Sequence, residues 1–149
     1  MREILFRGKQ KDNGEWVEGS LVLVTGKCAK IMYNVDVWAE IIFYTVDNKG
    51  FVTSHRCAVD PETVGQYTGV TDKNGKKVFE GDIVEFRYQL KKGGYKPFRA
   101  EVKAERESFG AYNSVYGFCA YLEFGDIENS EVVGNIHDNP EPPQTNGTI

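Results

Sequence analysis

Residues 66–86, QYTGVTDKNGKKVFEGDIVEF, alternate apolar and polar side chains around two glycine-marked bends. A period of two sends successive side chains to opposite faces of a sheet, so this stretch predicts antiparallel strands joined by tight turns. Asn74-Gly75 reads as a two-residue type I′ hairpin turn, in which both residues need φ > 0; Asn tolerates that and Gly accepts it freely. Glu80-Gly81-Asp82 reads as a second bend. There Gly81 supplies a conformation that a Cβ would obstruct, and Asp82 accepts a hydrogen bond from a nearby backbone N–H. The carboxylates of Glu80 and Asp82 could also serve metal or acid–base chemistry, but no His or third ligand lies beside them. These residues are read as folding the chain.

Residues 6–23, FRGKQKDNGEWVEGSLVL, say nearly the same thing. Gly8 falls on Gly69, Asn13-Gly14 on Asn74-Gly75, and, with one extra residue, Glu18-Gly19-Ser20 on Glu80-Gly81-Asp82. The echo is either a duplicated unit or the same turn chemistry used twice. A single pair of matches with an indel favours the second.

The remaining segments predict more strands: 2–7, 15–24 broken at Gly19, 29–34 (AKIMYN), 37–46, 51–59, 83–90, 97–106, 115–124 and 131–136. Asp47-Asn48-Lys49-Gly50 turns the chain between two of them. Asp60-Pro61-Glu62 starts a helix with an N-cap and an N1 proline, but Gly65 follows so soon that one turn is expected. Many aromatics and glycines favour strands over helices. The tail NPEPPQTNGTI is Pro-rich and polar and is expected to fray.

At 149 residues the chain suffices for one compact domain or two small ones. No apolar h-region opens it and no apolar run approaches the ~20 residues of a membrane span, so a cytoplasmic protein without a membrane partner is expected. Cys28, Cys57 and Cys119 are odd in number and far apart, which predicts reduced thiols rather than a disulfide framework. His55 and Cys57 share one strand face, yet a zinc site needs a second close pair, and Cys28, Cys119 and His137 stand alone. Neither a metal, nor a cofactor, nor a catalytic residue is predicted.

Charge is uneven along the chain. From Glu107 to Ile149 there is no Lys or Arg, and there are seven acids: Glu107, Glu123, Asp126, Glu128, Glu131, Asp138 and Glu141. Residues 1–106 therefore hold all 18 basic residues, with a local surplus at 87–106. Within it, 88–99 interleave Tyr88, Tyr95 and Phe98 with Lys91, Lys92, Lys96 and Arg99, around a Gly93-Gly94 tip. Aromatics that stack bases, beside cations that track phosphates, describe a single-stranded nucleic-acid surface. The acidic pI near 5.3 argues the other way, since dedicated nucleic-acid binders are usually basic. The same tip could meet the acidic 123–141 segment of another copy. Phe109, Tyr112, Tyr116, Phe118, Tyr121 and Phe124 read as a strand pair filling a core, or as a protein-docking surface.

FRGKQKDNGEWVEGSL, TVGQYTGVTDKNGKKVFEGDIVEF and VVGNIHDNPE, in that order, resemble the three signatures of the YopX family, small proteins encoded mainly by phages and prophages of Gram-positive bacteria. The resemblance spans nearly the whole chain and is weakest over 25–58. It implies a mainly β protein with an SH3-like barrel in its C-terminal part, and together with the turns above this gives an expected all-β chain whose N-terminal antiparallel strands, 1–64, pack on a barrel over 65–139 ahead of a flexible tail at 140–149. It implies no activity. The expected function is a non-enzymatic accessory protein acting through a protein partner or as a homo-oligomer. The alternative is nucleic-acid binding through 88–99.

Overall fold

The computed structural model describes residues 3–89, 91–105, 108–113, 117–121 and 129–139. Glu107, Tyr116, Glu123, Phe124, Asp126, Glu128, Glu141 and the tail 140–149, all named above, lie outside the described residues. The chain divides into two compact units, Met1–Gln66 and Tyr67–Ile149.

The first unit is an antiparallel sheet in the order β4-β3-β2-β1, made of β1 (Phe6–Lys9), β2 (Trp16–Thr25), β3 (Val37–Val46) and β4 (Val52–Val59). Register sets Leu21 opposite Ile41, Ala39 opposite Val59 and Phe6 opposite Gly19. One face therefore collects the core: buried Ala39, Ile41 and Val59, with Phe6, Val17, Leu21 and Val64 packed against them. β2 runs through Gly19 without the expected break. A Cβ at Gly19 would stand 2.2 Å from the Ile42 carbonyl oxygen, so the glycine serves close strand approach rather than a bend. Beyond β1, Gln10 bridges Val59, and the Lys11 N–H donates to the Ala58 carbonyl at 3.0 Å. The sheet thus curls until the end of β1 meets the end of β4. Asp60 starts a single 3-10 turn, Pro61–Thr63, and its Oδ1 accepts from the Glu62 N–H.

Residues 29–34 correct the expected strand, because Gly26–Tyr33 is a helix, α1. Ala29, Lys30 and Met32 are good helix formers, and Asn34 closes α1 in the left-handed conformation with its N–H on the Lys30 carbonyl. A one-turn spacing brings buried Ala29 and Tyr33 to one side, where the Tyr33 ring stacks on Trp38 at 4.2 Å between centroids.

The second unit contains β6 (Lys77–Phe79), β7 (Asp82–Gln89), β8 (Tyr95–Glu105), β9 (Ser108–Asn113), β10 (Gly117–Tyr121) and β11 (Glu131–Asn135). β5 (Gly65–Thr71) enters it: Gly65 and Gln66 pair with β1, and from Tyr67 onward the strand pairs with β6. The other five strands form an antiparallel sheet, β10-β9-β8-β7-β11. Buried Val84, Ala100, Val102, Phe109 and Ala111 line one face of it, and Val78 and Val70 from the β5–β6 hairpin join them. β9 lies between the strand ranges 97–106 and 115–124, and with β10 it forms the antiparallel strand pair expected from the aromatic run that starts at Phe109. The expected SH3-like barrel is not closed among the described residues, since β10 and β11 are opposite edges of an open sheet. The hairpin's valines cover the apolar face that closure would otherwise bury.

Both Asn-Gly turns differ from type I′, because Asn13 and Asn74 are not at positive φ. At 72–76 the Gly75 N–H returns to the Asp72 carbonyl and only Gly75 is left-handed, at φ 78°, which is a type I turn closed by a glycine bulge. At 10–15 the loop is one residue longer, with the Gly14 N–H on the Gln10 carbonyl and Gly14 at φ 70°. Gly81, at φ 89°, turns the chain into β7; its N–H reaches the Val102 carbonyl, and its carbonyl accepts from the Ile136 N–H. Buried Asp82 accepts the Phe79 N–H at 2.7 Å.

Candidate functional site

The basic and aromatic residues of 88–99 lie on the β7–β8 hairpin, whose tip, Lys91–Gly94, is exposed. Register pairs Tyr88 with Lys96, Gln89 with Tyr95, Phe86 with Phe98 and Glu85 with Arg99. Alternation splits this set between two faces. Phe98 falls on the face of Ala100 and packs against the core, so it offers no free ring for a base. Arg99, on the opposite face, gives its Nε to Glu85 at 2.9 Å. Half-buried Lys96 has a partner of its own. Lys91 and Lys92 are exposed cations at the tip, and the side chains of Tyr88 and Tyr95 lie outside what the structure describes.

The thiol and imidazole inventory is likewise dispersed. His55 Nε2 lies 2.8 Å from Thr45 Oγ1, and its ring stacks on Phe43 at 4.7 Å. Cys57 lies opposite Ile41 in the sheet, whereas Cys28 is exposed on α1. Among the described residues no three His, Cys, Asp or Glu side chains gather as a metal site. Glu80 and Asp82 do not act as a pair, because the Asp82 carboxylate is engaged by the chain itself.

Two features of the first unit were missed. On the face of the sheet opposite the Ile41 core, cations sit over both tryptophans. Arg7 lies 4.6 Å from the Trp16 centroid, and Lys11 lies 4.5 Å from that of Trp38. Trp38 is flanked by Lys11 and Tyr33, while its Nε1–H donates to Glu40, which also binds Arg56 at 2.9 Å. With its ring and its N–H engaged in this way, Trp38 ties α1 and the β1–β2 loop to the sheet.

The second feature is an arm. β2 pairs with β3 only as far as Ser20 opposite Ile42, so residues 43–46 and 52–55 continue as a two-stranded ribbon. One face of it presents Tyr44, Val46 and Val52, which are 67%, 65% and 64% exposed, and Phe51 stands exposed at the turn. A strand with one face in water normally alternates apolar and polar residues. VWAEIIFYTV does not, and its apolar run from Ile41 to Tyr44 is the sequence signal that could have found the arm.

No helix among the described residues is long and apolar enough to cross a membrane. Curated proteins contain no match to this chain. Among solved structures it is similar to protein EF1440 from Enterococcus faecalis, at 22% identity and a TM-score of 0.53, over 95% of this chain and 98% of that one. That likeness is one of fold alone. The family model described as YopX protein matches residues 5–142, nearly the whole length, and the chain therefore belongs to the YopX family.

Proposed function

We propose that this is a non-enzymatic accessory protein that works through protein contacts and assembles with copies of itself through the β3–β4 arm. One observation carries the reading: three large apolar side chains on one face, each about two-thirds exposed, on a ribbon that no third strand supports among the described residues. A two-stranded ribbon is marginal in water and gains stability when another surface covers or extends it. The family resemblance to phage- and prophage-encoded proteins supports an accessory role exercised by binding in the host cytoplasm.

Size-exclusion chromatography with light scattering tests the reading. The wild type should self-associate with rising concentration, and Tyr44→Ser with Val46→Thr and Val52→Thr should weaken that association while the circular dichroism stays the same. A second reading, single-stranded nucleic acid at the β7–β8 tip, is favoured only by exposed Lys91 and Lys92. Titration of labelled single-stranded DNA and RNA at two salt concentrations separates the two. Binding by a monomer, with the salt slope falling by about 0.7 for each Lys→Ala, would replace self-association with that second reading.

A further inference from the structure

We propose that two copies of this chain pair edge to edge through β4, with the two-fold axis at Ser54. The inference rests on the self-association reading and adds which atoms meet.

β4 is the outer strand of its sheet. Across the turn, the Asp47 N–H donates to the Phe51 carbonyl. Odd-numbered residues of β4 therefore exchange backbone hydrogen bonds with β3, and even-numbered residues direct N–H and C=O away from it. The far end of the strand obeys this parity. The Ala58 carbonyl accepts from the Lys11 N–H at 3.0 Å, and the Asp60 N–H donates to the Lys9 carbonyl at 2.8 Å. The curl of β1 thus occupies the outward groups at one end. Those of Val52, Ser54 and Arg56 have no strand beside them among the described residues.

Proteins usually blunt such an edge with Pro, Lys, a bulge or an unpaired charge. Here VTSHRC contains neither Pro nor Lys, and the β3–β4 register runs unbroken from Val59 to Val52. The one charge, Arg56, is neutralised by Glu40 on the neighbouring strand at 2.9 Å. The edge is open to a strand of the same length and twist, which a second copy supplies.

Parity and the length of the free edge then select the register. An axis at Ser54 sets the two serines opposite one another as a hydrogen-bonded pair, and sets Val52 of each copy opposite Arg56 of the other. Small faces small at the centre, and the two guanidinium groups lie at opposite ends. Axes at Thr53 or His55 also set even residues opposite even ones, but like axes at Val52 or Arg56 they run the pairing sooner into the Asp47–Phe51 turn or into Ala58, whose carbonyl already accepts from Lys11. The Ser54 axis alone pairs Val52, Ser54 and Arg56 of both copies. Joined at Ser54, the ribbons become one four-stranded sheet with Tyr44, Val46 and Val52 of both copies on a single face, beyond the three-strand minimum for independent stability.

Cross-linking tests the register on the full chain. In a background with Cys28, Cys57 and Cys119 replaced by Ser, Ser54→Cys should give a covalent dimer on mild oxidation, because facing Cα atoms in such a pair lie about 5.5 Å apart, within disulfide reach. Thr53→Cys, two residues out of step with its mate, should not. Ser54→Pro removes only an outward N–H, which an edge strand tolerates. It should keep the circular dichroism and loosen the dimer by about tenfold or more, through loss of two cross-copy hydrogen bonds. A dimer that cross-links at 53 rather than at 54 overturns the Ser54 register, and one that cross-links at neither overturns the β4 pairing while self-association stands. A chain that stays monomeric at every soluble concentration overturns both.

Discussion

The turns at Asp47–Phe51 and Asp72–Lys76 are one device in two settings. In each, the aspartate Oδ1 accepts two backbone N–H groups, from Lys49 and Phe51 in the first and from Asn74 and Lys76 in the second. In each, the glycine N–H returns to the aspartate carbonyl, with Gly50 at φ 86° and Gly75 at φ 78°. The difference lies in the second carboxylate oxygen. Asp47 is exposed, whereas Asp72 is buried and its Oδ2 takes the Val132 N–H from β11 at 3.0 Å. A local turn becomes a tertiary tie through one more oxygen. The hairpin at 10–15 shares the Asn-Gly pair but not the device, because Gln10 stands where the aspartate would be and only Asn13 Oδ1 caps the Glu15 N–H. Turn class here follows the residue that opens the turn, since a short carboxylate reaches N–H groups two and four positions on.

The comparison breaks most visibly at the aspartates. Asp72→Ala should cost about 3 kcal/mol, since it strands three backbone donors around a buried carboxylate, and Asp47→Ala about 1 kcal/mol. Urea midpoints measure both, and equal losses would show that the Val132 bond adds nothing. Hydrogen exchange at the Val132 amide should rise in Asp72→Ala alone.

Acid separates the wild type from Asp72→Asn. Burial by itself would raise the Asp72 carboxyl, but N–H donors from Val132, Lys76 and Asn74, with the Lys76 ammonium nearby, outweigh it and hold its pKa below 3.8. A depressed folded value means stability that is fully present above pH 3.8 and lost as pH falls through the folded pKa. Stability followed below pH 4 should therefore fall more steeply in the wild type than in Asp72→Asn.

Smaller effects sharpen the likeness of the two turns. Gly50→Ala and Gly75→Ala should each cost about 1 kcal/mol, and by the same amount, because both force a Cβ into positive φ. Asn74→Ala should change stability by less than about 0.5 kcal/mol, because its backbone is unstrained and its amide reaches Glu131 only at 3.5 Å. A type I′ turn would instead make Asn74→Ala as costly as Gly75→Ala.

Strands at 37–46, 51–59, 83–90 and 131–136, the single turn after Asp60, and the bend at Gly81 were legible because each rests on neighbours in sequence. The helix at Gly26–Tyr33 was not, since Tyr33 is held by Trp38 rather than by a helical pattern of its own. The echo misled for a related reason. Gly8 and Gly19 lie in extended strands, while Gly69 and Gly81 take positive φ, so like residues meet unlike surroundings. The basic and aromatic run at 88–99 was equally legible as composition, but cross-strand register assigned Phe98 to the core and Arg99 to Glu85.

By itself, then, the sequence determined that this chain is mainly antiparallel β, where most of its turns fall, and to which family it belongs. Period-two patterning and glycine at positive φ act within a few residues, so one chain segment suffices to read them. Tertiary structure alone decided that the second sheet is open among the described residues, that Asp72 reaches Val132, and that the β3–β4 ribbon outruns β2 and leaves Tyr44, Val46 and Val52 in solvent. Each of these depends on which strand lies beside which and where its partner ends, and residues tens of positions apart settle that through burial and backbone hydrogen bonding.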